Sequence, residues 1–138
     1  MPNKFTVLLV EDDDLDAEMV NRAFKKSDVP VRLERAVDGK SALSMLHNEL
    51  SIAKEHPLIV FLDLNMPGVN GHEFLERLRN DDTLRSTTVF VLTTSSHARD
   101  VERAYEKNVA GYFTKPQLSH LIGVLKSYSQ GAELPKLK

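Results

Sequence analysis

Leu58-Ile59-Val60-Phe61-Leu62-Asp63-Leu64-Asn65-Met66-Pro67-Gly68-Val69-Asn70-Gly71 is the stretch that decides the fold. Five apolar residues in a row, without alternation, read as a strand covered on both faces, as in parallel sheets. Asp63 ends that run, and a carboxylate in such a place is costly unless it is paired. The segment from Asn65 to Gly71 is dense in turn formers, so it reads as a loop. Phe74, Leu75 and Leu78 then mark a helix.

On the amino-terminal side the same pattern occurs twice. Phe5 to Val10 is a short continuous apolar strand, followed by Glu11-Asp12-Asp13. Leu15, Met19, Ala23 and Phe24 stand at helical spacing after it, and Pro30 closes that helix. Val31 to Val37 is a weaker strand, Asp38-Gly39 a turn signal, and Ala42, Leu43, Leu46 and Leu50 a second helix. A polar stretch, Ser51 to His56, leads into Pro57. On the carboxyl-terminal side Thr88 to Leu92 is a fourth strand, followed by Thr93-Thr94-Ser95-Ser96. Val101, Ala104 and Tyr105 mark a fourth helix, with Tyr105 read as packing. Gly111 to Thr114 is a short fifth strand, followed by Lys115-Pro116. Leu118, Leu121, Ile122 and Leu125 form the core stripe of a last helix, and the segment after it reads as a loose tail.

Strands thus alternate with helices five times over short connections. That order implies an α/β fold, a parallel sheet with helices on both faces. The chain has 138 residues, 41% hydrophobic and 28% charged, which fits one domain with an ordinary core. The net charge of -2 argues against nucleic acid as a partner. Without cysteine there is no disulfide, thiolate metal site or cysteine nucleophile. No apolar run approaches the roughly 20 residues that span a bilayer. A cytoplasmic protein is expected.

In open α/β sheets, ligands bind beyond the carboxyl ends of the strands. Those ends deliver Glu11 and Asp12, Asp63, Thr93 and Thr94, and Lys115. Clustered carboxylates raise one another's pKa unless a cation neutralises them, and oxygen-only ligation suits Mg²⁺. An ammonium and a hydroxyl beside such a cation suit a phosphoryl group, with a carboxylate as nucleophile. Asp13, Asp14 and Asp16 are read as an acidic helix start. The five histidines, scattered without metal spacing, are read as surface residues.

Leu8-Leu9-Val10-Glu11-Asp12-Asp13, Leu62-Asp63-Leu64-Asn65-Met66-Pro67 with Gly71, Leu92-Thr93-Thr94-Ser95 and Gly111-Tyr112-Phe113-Thr114-Lys115-Pro116 together resemble the receiver domain of two-component response regulators. The resemblance covers about Phe5 to Tyr128. It implies the flavodoxin-like doubly wound (βα)5 fold with strand order 2-1-3-4-5. It implies Asp63 as phosphoacceptor, and Mg²⁺ held by Glu11, Asp12, Asp63 and the backbone carbonyl of Asn65. Glu11 stands where the family usually has Asp. Thr93 matches the hydroxyl that closes onto the phosphoryl group, and Lys115 the lysine that pairs with it. Pro116 matches the proline that usually follows a cis bond, and Tyr112 the aromatic switch residue that turns inward. The Asp63–Pro67 and Leu92–Ser96 segments, the long segment between Ser41 and Pro57, and Leu134-Pro135 resemble single-domain regulators served by phytochrome-type sensor histidine kinases.

The expected function is phosphorelay: a phosphoryl group taken from a histidine kinase onto Asp63 with Mg²⁺, switching a protein-binding surface. A docking module that works without phosphate is the alternative. A phosphatase is disfavoured, because Asn65 stands where a second acid would be needed. One receiver domain is expected, with a core of about 5–128, a tail of 129–138 and no effector domain or enzyme activity beyond its own phosphate chemistry. A homodimer through the fourth helix, fifth strand and last helix is expected, with Tyr112, Val124, Tyr128, Leu134 and Leu137 contributing; the alternative is a tail folded back on its own domain.

Overall fold

The computed structural model describes residues 5–48, 57–66, 68 and 70–129. Leu50, Ser51 to His56, Pro67, and Leu134, Pro135 and Leu137 of the tail lie outside the described residues. Five strands, β1 (Phe5–Val10), β2 (Val31–Ala36), β3 (Leu58–Leu62), β4 (Thr88–Thr93) and β5 (Gly111–Thr114), form one parallel sheet in the order β2-β1-β3-β4-β5. Among the described residues, five α-helices connect or follow them: α1 (Asp14–Lys26), α2 (Gly39–His47), α3 (Gly71–Arg79), α4 (Ala98–Glu106) and α5 (Leu118–Ser129). This is the doubly wound architecture expected from the strand pattern.

The pleat sends alternate residues to opposite faces, and each face has its own core. Val7, Leu9, Ile59, Phe61, Phe90 and Leu92 pack with Ala17, Val20 and Phe24 of α1 and Leu118, Leu121, Ile122 and Leu125 of α5. Leu8, Val10, Val60, Leu62, Val89 and Val91 pack with Ala42 and Leu46 of α2, Phe74, Leu75 and Leu78 of α3, and Ala104 of α4. Sheets covered on both faces need continuous apolar strands, which is why β1, β3 and β4 carry them.

The inner face of α1 is Ala17, Val20 and Phe24, not the row expected from Leu15 and Met19. Leu15 is 82% exposed and Met19 39%. Helical spacing alone admits both rows, and packing of Ala17, Val20 and Phe24 against the sheet distinguishes them. Tyr105 is likewise 49% exposed rather than packed. Val124 and Tyr128, by contrast, pack half-buried against the core.

Asp13, Asp38 and Asn70 cap α1, α2 and α3, each accepting from the backbone N–H three residues on. Gly71 lies so close to β3's exit that a Cβ there would stand 2.5 Å from Leu64 Cα and 2.6 Å from the Asp63 carbonyl oxygen. Only glycine permits α3 to start there. At the opposite pole, Arg79 donates to the carbonyls of Arg85, Thr87, Lys107 and Asn108 at 2.7–3.1 Å. That fan ties the connection before β4 to the one after α4.

Candidate phosphoacceptor and metal site

The parallel register brings the carboxyl ends of β1, β3, β4 and β5 together, and each delivers a polar group. Glu11, Asp63, Thr93 and Lys115 are all buried, at 2%, 4%, 0% and 8% exposure, although all four are polar or charged. Backbone bonds extend the ladder just past the strands: Glu11 N–H donates to Ala36 O and Asp63 N–H to Val10 O. These bonds fix where the two carboxylates start.

Asp63 is fully engaged. Its Oδ1 accepts from the Thr93 hydroxyl at 2.8 Å and from the Asn65 N–H at 3.1 Å. Its Oδ2 faces the Lys115 ammonium at 3.4 Å. That ammonium is bound more tightly elsewhere, at 2.6 Å to Glu11 Oε1 and 2.5 Å to Asp16 Oδ2. Glu11 also accepts from the Asp13 N–H at 3.2 Å, and Asn65 donates from its side chain to Thr94 at 3.4 Å.

Electrostatics follow from this crowding. Burial pushes the Glu11 carboxyl up from 4.5 to about 7, against the Lys115 hydrogen bond and with help from the charge of Asp63. Burial also opposes the Lys115 charge, but Asp16, Glu11 and Asp63 outweigh it and raise its pKa. The contact therefore favours the ammonium more than Glu11, which shares one cation with two other carboxylates.

Glu11, Asp12 and Asp63 can each bring one carboxylate oxygen within 4.8 Å of the others. This all-oxygen, negative donor set, at which a buried Glu resists ionising, fits a hard divalent cation. Asp12 is exposed, so the group opens to solvent on one side.

Two expectations need correction. No cis peptide bond occurs among the described residues, so Pro116 does not follow one. Lys115 to Gln117 instead form one 3-10 turn with Pro116 in it, where a missing N–H is tolerated. Thr114 N–H donates to Gln117 Oε1 at 2.9 Å and steadies that turn. His72 is not a surface residue. Its side chain is 11% exposed and its Nε2 lies 2.9 Å from Asp100 Oδ1.

Asp16 and the Ser95–Asp100–His72 chain were not legible as part of the site. Asp16 stands in the first turn of α1, where a carboxylate already has a local explanation. Ser95 Oγ donates to Asp100 Oδ2 at 2.6 Å, and the Tyr112 hydroxyl to the Ser95 carbonyl at 2.7 Å. Tyr112 is half-buried in this position.

Comparison with known proteins agrees with the geometry. The sequence profile of the response regulator receiver domain matches residues 7–126. The chain is 37% identical over 131 residues to a probable methanogenesis regulatory protein, FilR2, of Methanothrix harundinacea, covering 92% of this chain and 84% of that one. It is 34% identical over 110 residues to the response regulator Rcp1 of Synechocystis sp., covering 79% and 75%. The structure of Mn²⁺-bound Rcp1 superposes with a TM-score of 0.78 at 31% identity, covering 94% of this chain and 98% of that one. The phosphorylated cyanobacterial phytochrome response regulator RcpA gives 0.75 at 32%, covering 94% and 97%.

Proposed function

Because this chain belongs to the response regulator receiver domain family of two-component systems, we propose that Asp63 is its phosphoacceptor. The observation that carries this is the asymmetric engagement of the carboxylate. Oδ1 is held by Thr93 and Asn65, which leaves Oδ2, beside Lys115, as the nucleophilic oxygen.

The donor is a phosphohistidine of a sensor histidine kinase. Oδ2 attacks phosphorus, a P–O bond forms and the P–N bond breaks. The electron pair returns to the imidazole nitrogen, which takes up a proton from solvent. The Lys115 ammonium compensates charge on one phosphoryl oxygen, and the Thr93 hydroxyl turns from Asp63 to another. Glu11, Asp12, Asp63 and the Asn65 carbonyl would hold Mg²⁺, which when bound neutralises charge between the carboxylates and the incoming phosphoryl group. The 4.8 Å grouping of the three carboxylates supports that assignment.

The likeness to the phytochrome response regulator RcpA favours a phytochrome-type kinase as donor. Dependence on an ATP-fed kinase favours the cytoplasm, and no helix among the described residues is long and apolar enough to cross a membrane. The protein acts as a signalling switch, its only chemistry being its own phosphorylation and dephosphorylation. Its output is a changed surface on α4, β5 and α5, with Tyr112 as the switch residue. A homodimer through that face is the proposed assembly.

Incubation with a small acyl phosphate and Mg²⁺, followed by intact mass measurement, tests the acceptor. One phosphoryl group should add to the parent and to Asp13→Asn, and none to Asp63→Asn. Undiminished labelling of Asp63→Asn would remove the assignment.

A further inference from the structure

Lys115 and a divalent cation want the same two carboxylates. The ammonium lies 2.6 Å from Glu11 and 3.4 Å from Asp63, and both belong to the group that can hold a metal. Asp16 does not belong to that group, yet it makes the shortest contact to Lys115, at 2.5 Å. Among the described residues it is therefore the carboxylate partner of Lys115 that stays available when Glu11 and Asp63 turn to a cation. Its place is well fixed. Asp16 N–H donates to the Asp13 cap at 3.0 Å, so its side chain leaves the first turn of α1. Lys115 comes from the 3-10 turn after β5, which Gln117 ties to Thr114.

We infer that Asp16 is a positioning residue. It holds the Lys115 ammonium beside the acceptor while Glu11 and Asp63 are released to the cation, and so supports both metal binding and phosphoryl uptake. This rests on Asp63 being the acceptor and Lys115 the phosphoryl partner. Without Asp16, the ammonium settles on Glu11 and Asp63, where a cation must displace it and no alternative partner receives it. The opposing expectation is simple charge removal. One negative group fewer beside an incoming phosphoryl anion should speed uptake, with no need for Lys115.

The test is a double-mutant cycle with two readouts, Mg²⁺ affinity by calorimetry and the rate of acyl-phosphate labelling at saturating Mg²⁺. Asp16→Asn should lower each about fivefold in the parent, and neither in a Lys115→Ala background. Asp16→Glu, which restores the charge, should recover most of the loss. Faster labelling of Asp16→Asn, unchanged values, or equal losses in both backgrounds would each overturn the inference. A parent that is not labelled on Asp63 would defeat the acceptor assignment instead, and the Mg²⁺ cycle would still decide the role of Asp16.

Discussion

The Thr93 hydroxyl donates a 2.8 Å hydrogen bond to Oδ1 of Asp63, and both groups are buried at the end of neighbouring parallel strands. Thr93 is thus bound to the acceptor before any phosphoryl group arrives, and it must exchange one acceptor for another. Thr93→Ala removes that exchange without touching the nucleophile. Labelling by acyl phosphate should change by less than about threefold, while affinity of the phosphorylated form for its target falls about tenfold. A labelled Thr93→Ala protein that binds target like the labelled parent would contradict this.

The raised Glu11 pKa gives a pH dependence with a definite sign. The folded, cation-free protein keeps this proton up to about 7, against 4.5 for an ordinary Glu. The group's contribution to stability is therefore complete below about 4.5 and is lost as pH rises through about 7. A cation needs the ionised carboxylate, so protons compete with it. Mg²⁺ affinity should climb between about pH 6 and about pH 8 and then level off. Glu11→Gln should bind more weakly and with a flatter profile. Calorimetry across this range checks both, and an equally steep profile in Glu11→Gln would assign the proton elsewhere.

Gly71→Ala should cost about 2 kcal/mol or more, although alanine is the better helix former. The new Cβ meets backbone, Leu64 Cα and the Asp63 carbonyl, which cannot swing aside as a side chain could. Thermal unfolding measures the loss. Because the displaced backbone is that of Asp63, labelling should slow in the same variant. A protein as stable as the parent would mean that α3 starts elsewhere.

Much of this was legible from the chain. The continuous apolar strands β1, β3 and β4, with the weaker β2 and β5 at the two edges, make the sheet, and the sheet brings Glu11, Asp63, Thr93 and Lys115 together. Asp16 was harder, because an acidic residue in a first helical turn already has a local explanation. Its contact spans 99 positions and depends on where the last turn places Lys115. His72 failed for a similar reason: its partner Asp100 sits on another helix, 28 residues away. Leu15 and Met19 misled because two helical rows were apolar, and only packing distinguishes them.

The exposed apolar surface of the α4–β5–α5 face lies on α4 rather than on α5. Val124 and Tyr128 are half-buried against the core, whereas Tyr105 on α4 is 49% exposed. Tyr105→Glu should weaken self-association about tenfold by placing a charge in the contact. Sedimentation of parent and variant, with and without acyl phosphate, measures it. A parent that stays monomeric at high micromolar concentration in both states would end the proposal.

The Arg79 fan has a mechanical consequence. It clamps Lys107 and Asn108, the residues just after α4, to the turn before β4. The other end of α4 is attached to the site by side chains: Asp100 to Ser95 and His72, with Tyr112 on the Ser95 carbonyl. With its carboxyl end clamped by the guanidinium and its amino end attached to the site through side chains, helix α4 would act as a lever, and a displacement at Ser95 would move Ala98 and Arg99 more than Glu106.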